Sequence, residues 1–323
     1  MRTSRSLFGE CWDRLERADE HRRELVAIWN EYVSRHPFDF QLRLSGEGRY
    51  VLRVHETEPL APAFSLGLGE WLYQLRACLD HIIWATSAYQ TGIIPPPDEH
   101  ALQFPVYDSE ASWNRNLYRI EHLAPHQQEM LRILQPFNGN KQANYLRVIN
   151  RLAAIDRHRR LTVGTAYLAE AEPVIAVPEG TDAHMRWGQR TLVDGAADLV
   201  EVTVSPWHDG MDVTINPRVG LDPEVAEWTM FDFYAGIPLM ERLTMFQLFV
   251  SGEVAAFEYD DTGSSQMSEM LTAEFREQCD RRGRLTAPNR ARTEVEWGPA
   301  FTPGPSTQER LEGKDFPAQG PGG

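Results

Sequence analysis

The stretch from about Leu66 to Gln90 constrains this chain more than any other. Its apolar residues Trp71, Leu72, Leu75, Cys78, Leu79, Ile82 and Ile83 recur at helical spacing, and Gly92 with the prolines at 95–97 closes the run. One side of this helix needs burial along its whole length, so other elements must pack against it. The opposite side covers an arc of about 160° at about 100° per residue. It holds Glu70, Tyr73, Gln74, Arg76, Ala77, Asp80, His81 and Trp84. A solvent face is mostly Lys, Glu, Arg and Gln. An arc that mixes carboxylates, an arginine, a histidine, aromatic rings and a small alanine suits a cleft wall or a helix–helix interface.

The neighbours expected around this helix are mainly helical. Phe8, Cys11, Trp12, Leu15, Leu25, Ile28, Trp29 and Tyr32 mark a long amphipathic helix over 8–35, closed by His36-Pro37. FDFQLRLSG and RYVLRVHET alternate around Gly46-Glu47-Gly48 and predict a hairpin. Further helices are expected over about 109–118, 126–137, 143–167 and 238–258. Short β-rich runs, PVIAVP, RTLVDG, LVEVTVSP and MDVTINP, fill 172–217. The fold class is therefore α+β, a mainly helical bundle with a small antiparallel sheet, drawn as one domain over 1–260. The Pro/Gly/Ser-rich stretch 261–323 reads as a weakly structured to disordered tail, with one modest amphipathic piece at Ser268–Cys279.

A second helix carries polar groups in register with its core stripe. In ANYLRVINRLAAIDRHRRL, Leu146, Ile149, Leu152, Ala153 and Ile155 define the buried side, and Asp156 and Arg159 continue it. A charge in that position must pair or sit in a cleft, because lone burial costs several kcal/mol. The economical expectation is that these residues meet the first arc, Arg76 pairing with Asp156 and Arg159 with Glu70 or Asp80. His81, flanked by carboxylates, is expected to have a raised pKa.

LGEWLYQLRACLDHIIW followed by DRHRRL resembles a widespread family of bacterial proteins whose motifs are close to LGDxLHxLRSALDHLxW and DKHRxL. The resemblance covers most of residues 10–260, including QFPVYD, LQPF and the last helix. It brings motifs and no activity. A looser resemblance is to HEPN-type ribonucleases, helical bundles with an Arg-x(4–6)-His motif that usually act as dimers. Arg76 and His81 match that spacing with four residues between them, and Ala77 stands where the motif usually has a polar residue. The resemblance implies metal-independent RNA cleavage, with Arg76, His81, Asp80 and Glu70 catalytic and Asp156, Arg159, Tyr73 and Trp84 contacting substrate. It also implies a homodimer, since Arg76 and His81 lie about 140° apart on the helical wheel.

Other chemistries find less support in the residues. Glu-x-x-His, HExxH, GxSxG, GxGxxG and the P-loop are all absent. A helical metalloenzyme drawing on Glu70, Asp80, His81, Asp156 and His158 is one alternative, and a non-catalytic interaction protein whose polar arc is a salt-bridge network is another. The formal charge of −15 disfavours broad contact with a phosphate backbone, although Arg157, Arg159 and Arg160 form a local basic cluster. The three dispersed cysteines fit a reducing cytoplasm, and no run of about 18 apolar residues suggests a membrane span. No metal or cofactor is expected.

Overall fold

The computed structural model describes residues 4–171, 173–189, 192 and 195–266. The expected tail lies outside the described residues from 267 onward, as do the amphipathic piece Ser268–Cys279 and most of RTLVDG. The chain is α+β. Its helices are α1 (Ser4–Ser34), α2 (Pro62–Thr91), α3 (Glu110–Arg115), α4 (Pro125–Ile133), α5 (Tyr145–His158) and α6 (Leu239–Thr262). Its strands are β1 (Phe38–Gly46), β2 (Arg49–Glu56), β3 (Val163–Ala171), β4 (Val174–Ala176), β5 (Asp182–Trp187), β6 (Ala196–Ser205), β7 (Thr214–Asn216) and β8 (Val219–Val225). Among the described residues no helix is long and apolar enough to cross a membrane. Where the sequence draws a single domain over 1–260, the chain forms two compact units.

The first unit is helical and, among the described residues, takes 4–37, 58–164 and 223–266. Its centre is α2, against which α1, α5 and α6 pack. All seven apolar positions expected on the buried side of α2, from Trp71 to Ile83, are fully buried. Each such side chain contributes about 1.5–3 kcal/mol through removal from water, so this stripe sets the register of the bundle. Phe8, Leu25, Phe246, Val254 and Phe257 complete the core from α1 and α6. Cys78 is a buried thiol, its Sγ donating to the Cys11 carbonyl at 3.5 Å. Trp228, Phe231 and Tyr234, in a stretch apolar enough for a subunit contact or lid, are buried in this unit's own core.

The second unit takes 38–57 and 165–222. Its four-stranded antiparallel sheet has the order β1-β2-β6-β5. The β1–β2 hairpin has the boundaries that its alternation predicts. Tyr50, Leu52 and Val54 of β2 join Val200, Val202 and Val204 of β6 in a separate apolar core. Two two-stranded ribbons, β3–β8 and β4–β7, complete the strands.

One boundary differs from expectation in a way that shapes the site. The helix expected over 143–167 is α5, which ends at His158; Arg159 is extended (φ −158°, ψ 147°) and the chain leaves to form β3. DRHRRL carries no Gly or Pro to announce that stop. The following Val163, Thr165 and Tyr167 have the β-branched and aromatic character that a strand prefers.

Candidate functional site

The polar arc of α2 divides into three groups with different partners. The first is a cleft of about 440 Å³ lined by Leu66, Gly69, Glu70 and Tyr73 from α2 and by Asp156 and Arg160 from the end of α5. The four α2 residues stand at i, i+3, i+4 and i+7, which places them on one face of that helix. Gly69 is what lets the helices meet here. A Cβ on it would come within 2.8 Å of Asp156 Cγ and closer to Oδ2, so the Asp156 carboxylate occupies the space that any other residue would fill.

The electrostatics of the cleft follow from that approach. Burial raises the Asp156 pKa; the Leu161 N–H partly offsets this, and the charge of Glu70 adds to the rise. Among the described residues, neither Asp156 nor Glu70 forms an ion pair within 4.0 Å. Arg160 is exposed and likewise without an ion-pair partner among the described residues, and the Tyr73 ring is 58% exposed. The C-terminal end of α5 adds the negative end of a helix dipole.

The second group is Arg76 with Asp80. Arg76 Nη2 lies 2.9 Å from Asp80 Oδ1 and donates to the Phe104 carbonyl at 3.1 Å, while the Phe104 N–H donates to Asp80 Oδ1 at 2.9 Å. The pair thus grips both backbone groups of one buried residue. Burial lowers the Arg76 pKa and raises that of Asp80, against the mutual attraction of the two charges. The expected Arg76–Asp156 pair is not formed. Residues i and i+4 of one helix stand one above the other, so Asp80 reaches Arg76 first.

Gln135 extends the same fastening: its amide donates to the Pro105 and Leu131 carbonyls, and its oxygen accepts from the Tyr107 N–H. QFPVYD and LQPF are therefore two halves of one attachment.

The third group faces α1. His81 Nδ1 lies 3.5 Å from Glu10 Oε2, its Nε2 lies 3.5 Å from Arg14 Nη2, and Arg14 donates to Gln74 Oε1 at 3.2 Å. The His81 pKa is lowered, by burial first and by Arg14 second, with Glu10 and Asp80 opposing. This reverses the expected rise, because burial of the ring, with Arg14 adding to it, outweighs the pull of Glu10 and Asp80.

The remaining site residues lie elsewhere. Trp84 Nε1 donates to Glu99 Oε2 at 3.5 Å. Arg159, expected opposite Glu70 or Asp80, binds the buried Glu227 at 2.5 Å. As the residue that caps α5, it has left the line of the stripe. Glu227 also accepts from the Thr162 N–H and hydroxyl; burial alone would raise its pKa, but these donors and Arg159 hold it below the ordinary value.

The structure thus brings together Glu70, Tyr73 and Asp156 and separates them from Arg76, His81, Asp80, Trp84 and Arg159. Of the expected basic cluster Arg160 reaches the cleft, and Gly69 and Leu66 join it unanticipated. The signal for Gly69 was present: a glycine well inside a helix marks a close approach. Among the described residues, no group of three or more His, Cys, Asp or Glu is placed to hold a metal ion. No family model, curated protein or solved structure matches the chain.

Proposed function

We propose that the cleft binds a small organic cation, an amine or guanidinium group, between Glu70 and Asp156, with Arg160 meeting an anionic group on the same ligand. The observation that carries this reading is a pair of carboxylates with no ion pair within 4.0 Å among the described residues, lining one cleft beside an exposed tyrosine ring at a helix C-terminus. Each of these features favours a cation: Coulomb attraction, the helix dipole, and the face of the Tyr73 ring. The volume lies within the range of small-molecule sites. Asp156, with its raised pKa, can also hold and release a proton, so the reading extends to metal-independent acid–base chemistry on the bound ligand. We also propose a cytoplasmic location, on the ground of its dispersed cysteines.

A second reading takes RNA as the ligand, cleaved without metal. The specific observation in its favour is the exposed Tyr73 ring, a stacking platform, in one cleft with Arg160, which offers a phosphate contact. On this reading the Arg76–His81 motif requires a second copy of the chain, since the two side chains have separate partners in one.

Calorimetric titration with putrescine, agmatine, choline and arginine distinguishes the readings. At least one is expected to bind, with affinity falling 10-fold or more in Glu70→Gln and Asp156→Asn and unchanged in the exposed control His184→Ala. Binding equal in all variants, or no binding, overturns the proposal. Single-stranded RNA, incubated with and without EDTA, is the second arm. RNA cleavage lost in Asp156→Asn, with no small cation bound, moves the site to the second reading.

A further inference from the structure

The four-stranded sheet of the second unit ends on β5, which among the described residues pairs with β6 alone. All of its residues are exposed. Its cross-strand partners put Ala183, Met185 and Trp187 on the face of Val204, Val202 and Val200, and Asp182, His184 and Arg186 on the other. The apolar face of this unit's core therefore runs out to an open edge, where Met185 is 46% and Trp187 43% exposed. Native sheets blunt such edges with lysine, proline or a bulge. β5 has neither residue, and its register on β6 is unbroken.

The backbone decides which strand can be added here. The Gly188 N–H donates to the Leu199 carbonyl at 2.8 Å, one step beyond the Trp187–Val200 pair. Ladder bonds alternate from side to side along an antiparallel strand. The even residues of β5 thus bond to β6, and Ala183, Met185 and Trp187 turn their N–H and carbonyl groups outward. An antiparallel second copy of β5 can meet them only with its own odd residues, so the pairing centres on Ala183, His184 or Met185. Charge separates these registers. Centred on Met185, His184 faces the second copy's Arg186; centred on Ala183, Arg186 faces Gly180, beyond the strand. Centred on His184, Asp182 of each copy faces Arg186 of the other, and Met185 lies beside the small Ala183.

We propose that two copies of the chain pair through β5, antiparallel about His184, to form one continuous sheet. The outward N–H and carbonyl groups of Ala183 and Met185 bond to the same residues of the second copy, and the two Asp182–Arg186 pairs fix the register. Among the described residues Asp182 has no ion pair within 4.0 Å. Arg186 reaches Glu201 at 3.4 Å through one nitrogen, its side chain is 79% exposed, and its guanidinium has further N–H groups to give. The opposite edge, β1, is less suited: Gln41 donates to Asp39 at 2.8 Å, Arg43 donates to Gln41 at 3.1 Å, and the register shifts between Leu44 and Gly46.

Sedimentation equilibrium of the full chain over a concentration series tests this. So small an interface gives a weak dimer, expected in the micromolar range. Asp182→Arg and Arg186→Asp each set like charges opposite one another and are expected to raise the dimer dissociation constant at least 10-fold. The double variant Asp182→Arg/Arg186→Asp restores both pairs and should return it to within 3-fold of the unsubstituted chain. A chain that stays monomeric throughout the series overturns the proposal. A dimer that neither single substitution weakens does so too, by assigning association to another surface. Weakening in the single variants without recovery in the double one refutes the pairing about His184 and the proposal with it.

Discussion

Replacing Gly69 with alanine sets two effects of opposite sign against each other. Within a helix, glycine to alanine is worth about 1 kcal/mol of stability. At this position the added Cβ would lie 2.8 Å from Asp156 Cγ and 2.9 Å from Oδ1, well inside the roughly 3.5–4.0 Å of relaxed contact. Asp156 cannot withdraw with its helix, because Leu152 and Ala153 anchor α5 in the core. Either its carboxylate rotates out of place or α5 shifts, and overpacking of this kind costs about 1–3 kcal/mol. The sum runs from about neutral to a loss of about 2 kcal/mol.

A double-mutant cycle isolates the obstruction. With Asp156→Ala in place the obstruction is gone, and Gly69→Ala should recover its full helical gain of about 1 kcal/mol. The coupling between the two sites is then the obstruction itself, about 1–3 kcal/mol. For a chain of this size each kcal/mol moves the melting temperature by about 2–4 °C, so the effect of Gly69→Ala should differ between backgrounds by at least about 2 °C. Thermal melts of the four proteins, checked by urea titration, give the number. Equal shifts in both backgrounds, with coupling under about 0.5 kcal/mol, would refute the close approach as the reason for the glycine.

Two further outcomes follow from buried carboxylates. Asp80→Ala leaves Arg76, only 12% exposed, without its ion partner and the Phe104 N–H without an acceptor, for an expected loss of about 2–4 kcal/mol in urea unfolding; a loss under about 1 kcal/mol would show the grip on Phe104 to be dispensable. Asp261 accepts from the Gln90 and Gln127 amides, and its pKa is raised by burial against those donors. A carboxyl raised in the fold stabilises fully below its unfolded pKa, about 3.8, and that contribution is lost as pH rises through the folded pKa. Asp261→Asn keeps the acceptor without the charge, so it should raise the melting temperature at pH 7 and change it little at pH 3.5; the same shift at both would contradict the assignment.

The buried side of α2 is legible in the sequence because one geometric rule, the helical period, decides it, and burial has no competing claim along Trp71–Ile83. The β1–β2 hairpin is legible for the same reason, with a period of two and a glycine-flanked turn. What wheel arithmetic cannot supply is the third element opposite a given residue. It places Arg76 on an arc but not the backbone of Phe104 that arrives there, and it places His81 beside carboxylates without the burial and the Arg14 side chain that α1 brings to the ring. Arg159 shows the sharper case: one extended residue at the end of α5 sends it to Glu227, 68 residues further on, and hands its expected place to Arg160.

This separates two reasons why a polar residue is kept on a helix. Arg76, Asp80, Gln135 and the backbone of Phe104, Pro105 and Tyr107 hold one another through the bonds named above, and the gain is a fixed position for the segment that covers α2, although Arg76 Nη1 stays buried with no hydrogen-bond partner among the described residues. A group so engaged has little left to offer a ligand without dismantling the fold around it. Glu70 and Asp156 are in the opposite condition. The charge of Glu70 and the desolvation of Asp156 both oppose folding at neutral pH; among the described residues neither carboxylate has an ion pair within 4.0 Å, and Arg17 attracts Glu70 only from farther away. On the proposed reading, a cation held between the two carboxylates relaxes the arrangement. The ligand's contribution to stability should therefore exceed simple occupancy of the cleft by the relief of that repulsion, and the excess should vanish in Asp156→Asn.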